Sequence, residues 1–316
     1  MKNILLLETI ASDALKILHQ QEQIHVVEAY DTNAATEAAD QDVHAIITRG
    51  KGQVDKTLLD ACPKLEAIAR CGVGLDNIDV AAASARKVLV LNAPGANAAT
   101  IAEHTLSRML MLVRNMYQSV RHVKDADWQW RTRYSGDELG GKTLGVLGMG
   151  NIGRRVAHFA EAIGMKVIYW DMYTADVPYD RFSMEEVLRQ SDVVTIHLPL
   201  TSDTEGLLDE RALEILRPQT YLINTARGQI IDQVALRKVL QNERIAGFAA
   251  DVLDKEPPHD HEPLLSMPNV LITPHSGSLT ATTYRYMCVL SVNNVIAVLA
   301  GKEPKKGCIF NEKALA

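Results

Sequence analysis

Three polar residues late in the chain could do acid–base chemistry on a small acid. Arg227 closes the run Tyr-Leu-Ile-Asn-Thr-Ala-Arg-Gly, Glu256 precedes two prolines after Ala-Asp-Val-Leu-Asp-Lys, and His275 closes Val-Leu-Ile-Thr-Pro-His-Ser-Gly. The apolar runs read as buried strands, which puts each polar residue at or just past a strand end. A guanidinium can hold a carboxylate by two parallel hydrogen bonds. An imidazole can take a hydroxyl proton while hydride leaves the same carbon, and a carboxylate on its other ring nitrogen fixes the tautomer. Singly, each has a plainer reading: an ion-pair partner, a solvated loop acid, a structural histidine. Their joint order after a nucleotide-binding signature is what points to chemistry.

That signature is Gly148, Gly150 and Gly153, a GxGxxG between the strand-like run Leu144–Gly148 and a helix-like run, with Asp171 closing the next strand eighteen residues past Gly153. Gly148 permits the tight turn, Gly150 lets the backbone approach a pyrophosphate, and Gly153 lets the helix pack on the sheet. The helix start offers N–H groups and a positive dipole end to phosphates. Asp171 would accept from the adenosine ribose hydroxyls and repel a 2′-phosphate. Met172, Tyr173 and Thr174 follow it, with no cation among them, so NAD is expected over NADP.

These residues need a scaffold of two α/β units. Strand-like runs alternate with helix-like ones at Ile4–Glu8, His25–Ala29, Ala45–Arg49, Leu65–Ala69 and Val88–Asn92, with helices such as Ser12–Gln20 and Lys56–Ala61 between them. A helical run without Gly or Pro spans about Ala98 to Val123. A second alternating set follows at Leu144–Gly148, Lys166–Trp170, Asp192–His197, Tyr221–Asn224, Gly247–Asp251 and Val270–Thr273, and a last helical run reaches about Ala300. Such alternation predicts parallel βαβ units, with a ligand cleft beyond the strands' carboxyl ends.

Length and composition agree: 316 residues suit two domains, and 47% hydrophobic and 23% charged content are those of a globular chain. The net charge of −6 argues against a nucleic-acid face. No apolar stretch approaches membrane-spanning length, and the first residues read as a strand rather than a signal peptide. Cys62, Cys71, Cys288 and Cys308 lack paired spacing, which fits reduced thiols in a cytoplasmic protein and no metal site. His259 and His261 have no further ligand cluster, His104 reads as structural or as a hinge, and His197 is a candidate for the cofactor cleft.

The ordered motifs Arg-Cys-Gly-Val-Gly-Leu-Asp-Asn-Ile-Asp (70–79), Asn-Ala-Pro-Gly-Ala-Asn (92–97), Ala-Glu-His-Thr (102–105) and Gly-Lys-Thr-Leu-Gly-Val-Leu-Gly-Met-Gly-Asn-Ile-Gly (141–153), with the three polar segments above, resemble the D-isomer-specific 2-hydroxyacid dehydrogenases. Within that family the phosphoglycerate dehydrogenase-like branch is most similar, and the resemblance covers essentially the whole chain. It implies two doubly wound parallel-sheet domains, a Rossmann cofactor domain (99–282) inserted into a flavodoxin-like substrate domain (1–98 plus 283–316).

The same resemblance implies that Arg227 binds the substrate carboxylate and polarises the keto oxygen, that His275 is the acid/base and that Glu256 is its partner. Gly148, Gly150, Asn151, Ile152, Gly153, Asp171, Thr225, Ala226, Asp251 and Gly277 are then expected at the cofactor. Gly72, Val73 and Gly74 would offer backbone donors to the substrate, and Arg49 and Arg70 would approach it. Asn151 stands where relatives often carry a basic residue, so backbone donors are expected to hold the phosphates. The long helix after Asn97 resembles a dimer-forming element, and a homodimer is expected. The tail is short, so the serine feedback of longer relatives is not expected.

The implied reaction interconverts a D-2-hydroxyacid and its 2-ketoacid, with 3-phosphoglycerate or glycerate/hydroxypyruvate as candidate substrates. The rival from another class is an NAD-sensing corepressor-like scaffold, which the acidic charge disfavours. A formate dehydrogenase is disfavoured because Glu256 stands where that branch carries an amide.

Overall fold

The computed structural model describes residues 1–30, 33–39, 41–173 and 176–315. The chain divides into two compact units, Met1–Asn97 with Leu279–Ala316, and Ala98–Ser278.

The first unit holds β1 (Lys2–Leu6), β2 (Ile24–Glu28), β3 (Val43–Thr48), β4 (Ala67–Arg70) and β5 (Leu89–Leu91) in the order β2-β1-β3-β4-β5. All pairs are parallel, and the order is the flavodoxin-like doubly wound one. Both sheet faces are covered, which is why the strands read as unbroken apolar runs. Ile4 and Leu6 enter one core and Leu5 and Leu7 the other. Helix Ala281–Leu299 supplies Cys288, Val292 and Val295 to the first of these cores, so the chain end completes the unit that its start begins. Asp55 and Asp79 cap their helices by accepting from Leu58 N at 2.9 Å and Ala82 N at 2.8 Å.

The second unit holds β6 (Thr143–Leu147), β7 (Lys166–Trp170), β8 (Asp180–Arg181), β9 (Val193–Ile196), β10 (Tyr221–Asn224), β11 (Gly247–Ala250) and β12 (Val270–Ile272). Their order is β12-β11-β10-β9-β6-β7-β8, again all parallel. The order reverses between β6 and β9, the switch point at which such sheets bind ligands. The two-residue edge strand β8 has no expectation in the sequence; its residues are too few and too polar to leave a period.

The helical run expected from Ala98 to Val123 is two helices, Ala98–Val113 and Met116–Lys124. Asn115 breaks it with φ +49° and ψ +34°. Asparagine tolerates this left-handed backbone better than most residues, so no Gly or Pro was needed to mark the break. The first helix packs Ala102, Met109 and Val113 into the core with Leu144, Val146, Ile223 and Ala249. The second buries no residue.

Candidate active site

The turn after β6 is built by glycines with different physical causes. Gly148 has φ +98°, and a Cβ there would lie 2.8 Å from the His197 carbonyl carbon and oxygen. Gly153 lies in the first turn of helix Asn151–Ala162, where a Cβ would approach the Gly148 oxygen to 2.1 Å. The fold itself therefore demands glycine at both positions. Gly150 differs: it is exposed, and a Cβ would meet nothing within 4 Å. It is also the N-cap and supplies no side-chain cap, whereas Ser183, Asp209 and Asp232 cap other helices of this unit. Among the described residues nothing requires the missing side chain, and no side-chain oxygen caps the first N–H groups of the helix. Open space beside an uncapped helix start at a switch point fits a pyrophosphate.

Asp171 follows β7 directly. Its Oδ2 accepts from Met149 N at 2.6 Å and its Oδ1 from Tyr173 N at 2.9 Å. The carboxylate is thus fixed beside the glycine turn with lone pairs left for hydroxyls. Two cations absent from the sequence reading stand nearby. Arg181 donates to the Asp171 carbonyl at 2.8 Å, and Arg154 donates to the Met149 and Asp176 carbonyls at 3.2 and 2.7 Å. They come from β8 and the helix after the glycines, so the residues following Asp171 gave no sign of them. Thr174 lies outside the described residues.

Arg227, Glu256 and His275 sit on turns after β10, β11 and β12. His275 Nδ1 and Glu256 Oε2 are 2.6 Å apart. Glu256 Oε1 accepts from Leu253 N at 2.9 Å. With Nδ1 donating to the carboxylate, Nε2 is the ring atom that can exchange a proton. It has no partner among the described residues, and the side chain is 45% exposed. Burial pushes the Glu256 carboxyl up, but the hydrogen bonds from His275 and Leu253 outweigh it and hold the group below its ordinary value.

His275 has φ +50°, a left-handed conformation that costs a non-glycine residue about 1 kcal/mol. Its own N–H holds the turn by donating to the Asp251 and Thr273 carbonyls, both at 2.9 Å. Arg227 is placed by buried Asn224, which accepts from Ala226 N at 3.0 Å and donates to the Arg227 carbonyl at 2.9 Å. Gly228 then packs so tightly that a Cβ would fall 1.9 Å from the Leu253 carbonyl carbon. The Arg227 turn is thus pressed on the loop that carries Glu256, and Glu256 is bonded to His275.

The remaining cofactor candidates divide. Asn151 and Ile152 open the helix at the glycine turn, exposed and half-buried. Thr225 and Ala226 are nearly covered in the turn after β10. Asp251 is 2% exposed, and its carboxylate accepts from Thr273 Oγ1 at 2.6 Å, Ser276 N at 3.0 Å and Gly277 N at 2.7 Å. Burial raises its pKa, yet these bonds and His104 bring it below its ordinary value. Gly277 is buried, with Asp251 Oδ2 at 2.8 Å from where its Cβ would be. Both residues build the His275 turn from within.

His197 donates its backbone N–H to the Leu147 carbonyl at 2.7 Å, beside the glycine turn. Its Nε2 meets Thr195 Oγ1 at 3.0 Å, Nδ1 is buried without a partner, and burial pushes the ring down to about 3. It is a neutral imidazole through the physiological range.

In the first unit the loop after β3 is held by Glu8, whose Oε1 accepts from Arg49 N, Lys51 N and Gly52 N at 2.9 to 3.0 Å. Burial pushes the Glu8 carboxyl up and these three bonds bring it net down. In the sequence Glu8 only closes the first strand-like run. The Arg49 guanidinium lies 4.7 Å over the Tyr284 ring and donates to the Thr9 carbonyl at 3.2 Å. Arg70 Nε donates to Asn77 Oδ1 at 3.2 Å, and a Cβ on Gly72 would come within 2.5 Å of Arg70 Nη1. The Gly72 N–H, expected to face the substrate, is instead donated to the Arg70 carbonyl at 2.8 Å. That tight turn leaves Val73 and Gly74 as the loop's candidate donors. Among the described residues, no cluster of three His, Cys, Asp or Glu could hold a metal ion, and no helix is long and apolar enough to cross a membrane.

Residues 106–277 match the family model for the D-isomer specific 2-hydroxyacid dehydrogenase, NAD binding domain. The chain is 34% identical over 308 residues to a D-3-phosphoglycerate dehydrogenase of Methanocaldococcus jannaschii, covering 96% of this chain and 58% of that one. It spans half to three-fifths of the length of that protein and of the Bacillus subtilis and Archaeoglobus fulgidus D-3-phosphoglycerate dehydrogenases it also matches. It is 35% identical to a glyoxylate reductase of Aeropyrum pernix, covering 92% of this chain and 91% of that one. The solved structure of the TT0316 protein from Thermus thermophilus superposes with a TM-score of 0.91 at 34% identity, over 96% of this chain and 98% of that one. With residues 106–277 matched by that family model and a relative 35% identical over nine-tenths of both chains, this chain belongs to the D-isomer specific 2-hydroxyacid dehydrogenase family.

Proposed function

We propose that the chain interconverts a D-2-hydroxyacid and its 2-ketoacid with NAD(H). The observation that carries this reading is the 2.6 Å bond between His275 Nδ1 and Glu256 Oε2, which leaves Nε2 as an exposed proton donor and acceptor. Gly148, Gly150, Gly153 and the first turn of helix Asn151–Ala162 would hold the pyrophosphate, and Asp171 the ribose. NADH held there would supply the hydride in the reductive direction. Protonated His275 then gives its Nε2 proton to the keto oxygen, Glu256 keeps the ring oriented, and Arg227 holds the substrate carboxylate. In the first unit, Val73, Gly74, Arg49 and Arg70 are the candidates for the anionic groups of the substrate.

Asp171 favours NAD, because a 2′-phosphate would meet its carboxylate. The likeness to a phosphoglycerate dehydrogenase and to a glyoxylate reductase supports small 2-ketoacids with or without a phosphate as the substrate class. The relatives are named as enzymes, which leaves the corepressor-like reading without support. A panel of glyoxylate, hydroxypyruvate, phosphohydroxypyruvate and pyruvate with NADH and NADPH tests this. At least one acid should be reduced, faster with NADH; no turnover with any acid would contradict the reading.

A homodimer is part of the proposal. Met116, Tyr117, Val120 and Val123 on helix Met116–Lys124 are about half exposed, and Trp128 follows at 66%. An apolar stripe left about half exposed among the described residues is what a self-complementary interface requires. Four buried, unbridged cysteines suit a reducing, cytoplasmic setting.

A further inference from the structure

One face of helix Ala98–Val113 is polar where a core-facing helix should be apolar. His104, Thr105 and Arg108 occupy positions spaced by one, three and four residues, beside Ile101 on the same face. Arg108 is only 7% exposed, and Thr105 is fully buried. A buried cation is retained only where a carboxylate and hydrogen bonds compensate it. Here Arg108 Nε and Nη2 reach His104 Nε2 at 3.2 and 3.1 Å, and the same Nε2 lies 3.3 Å from Asp251 Oδ1 and 3.4 Å from Thr273 Oγ1. Burial pushes the Arg108 guanidinium down, and the Asp251 carboxylate opposes that shift.

The carboxylate whose Oδ1 lies 3.3 Å from His104 Nε2 is the one that accepts from Ser276 N and Gly277 N, on the turn whose His275 N–H is bonded to the Asp251 carbonyl. The imidazole also walls the turn, since a Cβ on Gly277 would lie 3.2 Å from His104 Cδ2 and 3.0 Å from Ile101 Cδ1. One residue on, Thr105 Oγ1 donates to the Ile101 carbonyl at 2.8 Å and meets Thr225 Oγ1 at 2.9 Å. Thr225 opens the turn that presents Arg227. A single helix face therefore touches two of the turns that carry the proposed chemistry.

We propose that His104, Thr105 and Arg108 are positioning residues: the His104–Arg108 pair compensates Asp251 and so holds the strained His275 turn, while Thr105 registers the Thr225–Arg227 turn against the same helix. The catalytic consequence rests on the functional reading above; the structural one does not. Removing the cation takes the opposing charge from a buried carboxylate that keeps only its hydrogen bonds, and the turn bonded to it should open more often.

Hydrogen–deuterium exchange of the full chain, with mass spectrometry of peptides covering 273–278 and 225–228, reads this directly. In Arg108→Met, exchange of the 273–278 segment should accelerate by about tenfold or more while the 143–153 segment keeps its rate, and Arg108→Lys should restore most of the protection. His104→Gln should accelerate the same segment and serves if Arg108→Met does not fold. Thr105→Val should accelerate 225–228 instead. In the 2-ketoacid assay, Arg108→Met should lower kcat about tenfold with NADH affinity within about twofold. Unchanged exchange of 273–278 in His104→Gln and in any folded Arg108→Met would overturn the proposal. So would equal exchange in Arg108→Lys and Arg108→Met, since charge would then be irrelevant. A chain that reduces no 2-ketoacid would overturn the functional reading and leave the exchange test standing.

Discussion

His275 carries its imidazole on a backbone at φ +50°, and the neighbouring bonds show how that conformation is retained. Its N–H has two carbonyl partners, its Nδ1 has a carboxylate, and its Nε2 is left for a proton. Glu256→Gln keeps an acceptor for Nδ1 but removes the carboxylate charge opposite the ring. The reductive kcat/KM at pH 7 should fall about tenfold. An unchanged kcat/KM would show that the charge of Glu256 does not assist the proton transfer. Carboxylates held by hydrogen bonds also set acid stability. Glu8, Asp251 and Glu256 are held below their ordinary values of 4.5, 3.8 and 4.5. Groups with depressed folded-state values stabilise the fold above their unfolded values and lose that contribution as pH falls. Unfolding free energy should be flat near neutrality and decline below about pH 4.5, and Glu8→Gln should make that decline shallower in urea titrations.

Among the elements, the turn from β6 into helix Asn151–Ala162 separates ligand demands from folding demands. Gly153→Ala would drive a Cβ to 2.1 Å from the Gly148 oxygen; it should cost about 2 kcal/mol or more and lower the melting temperature by several degrees. Gly150→Ala meets no protein atom within 4 Å. Its melting temperature should stay within a few degrees, while NADH affinity measured by fluorescence titration should weaken by about tenfold or more. Equal NADH affinity would remove Gly150 from the cofactor site. The elements also show what a sequence can reveal. Lys166–Trp170 and Tyr221–Asn224 have the same bounds in sequence and structure, because buried parallel strands are short apolar runs bounded by turn residues. The break at Asn115 was illegible, because one left-handed residue leaves the hydrophobic period intact. Arg154 and Arg181 near Asp171, and Glu8 beneath the Arg49 loop, were hidden for another reason. Their partners lie 5 to 44 residues away in the chain, where no local pattern registers them.

For the whole molecule, the proposed homodimer follows from the apolar stripe of helix Met116–Lys124. Val120→Glu together with Val123→Glu places two charges on that stripe, and the pair should convert a dimer to a monomer in analytical ultracentrifugation. A monomer before substitution would contradict the dimer. The central claim is that the turns after β10, β11 and β12 form one oxidoreductase site with His275 as its acid. It is tested most directly by NADH oxidation in His275→Ala at saturating NADH, using whichever 2-ketoacid the unmodified chain reduces best. Turnover should fall about a hundredfold or more while the Kd for NADH is unchanged. Near-unmodified turnover would contradict the account.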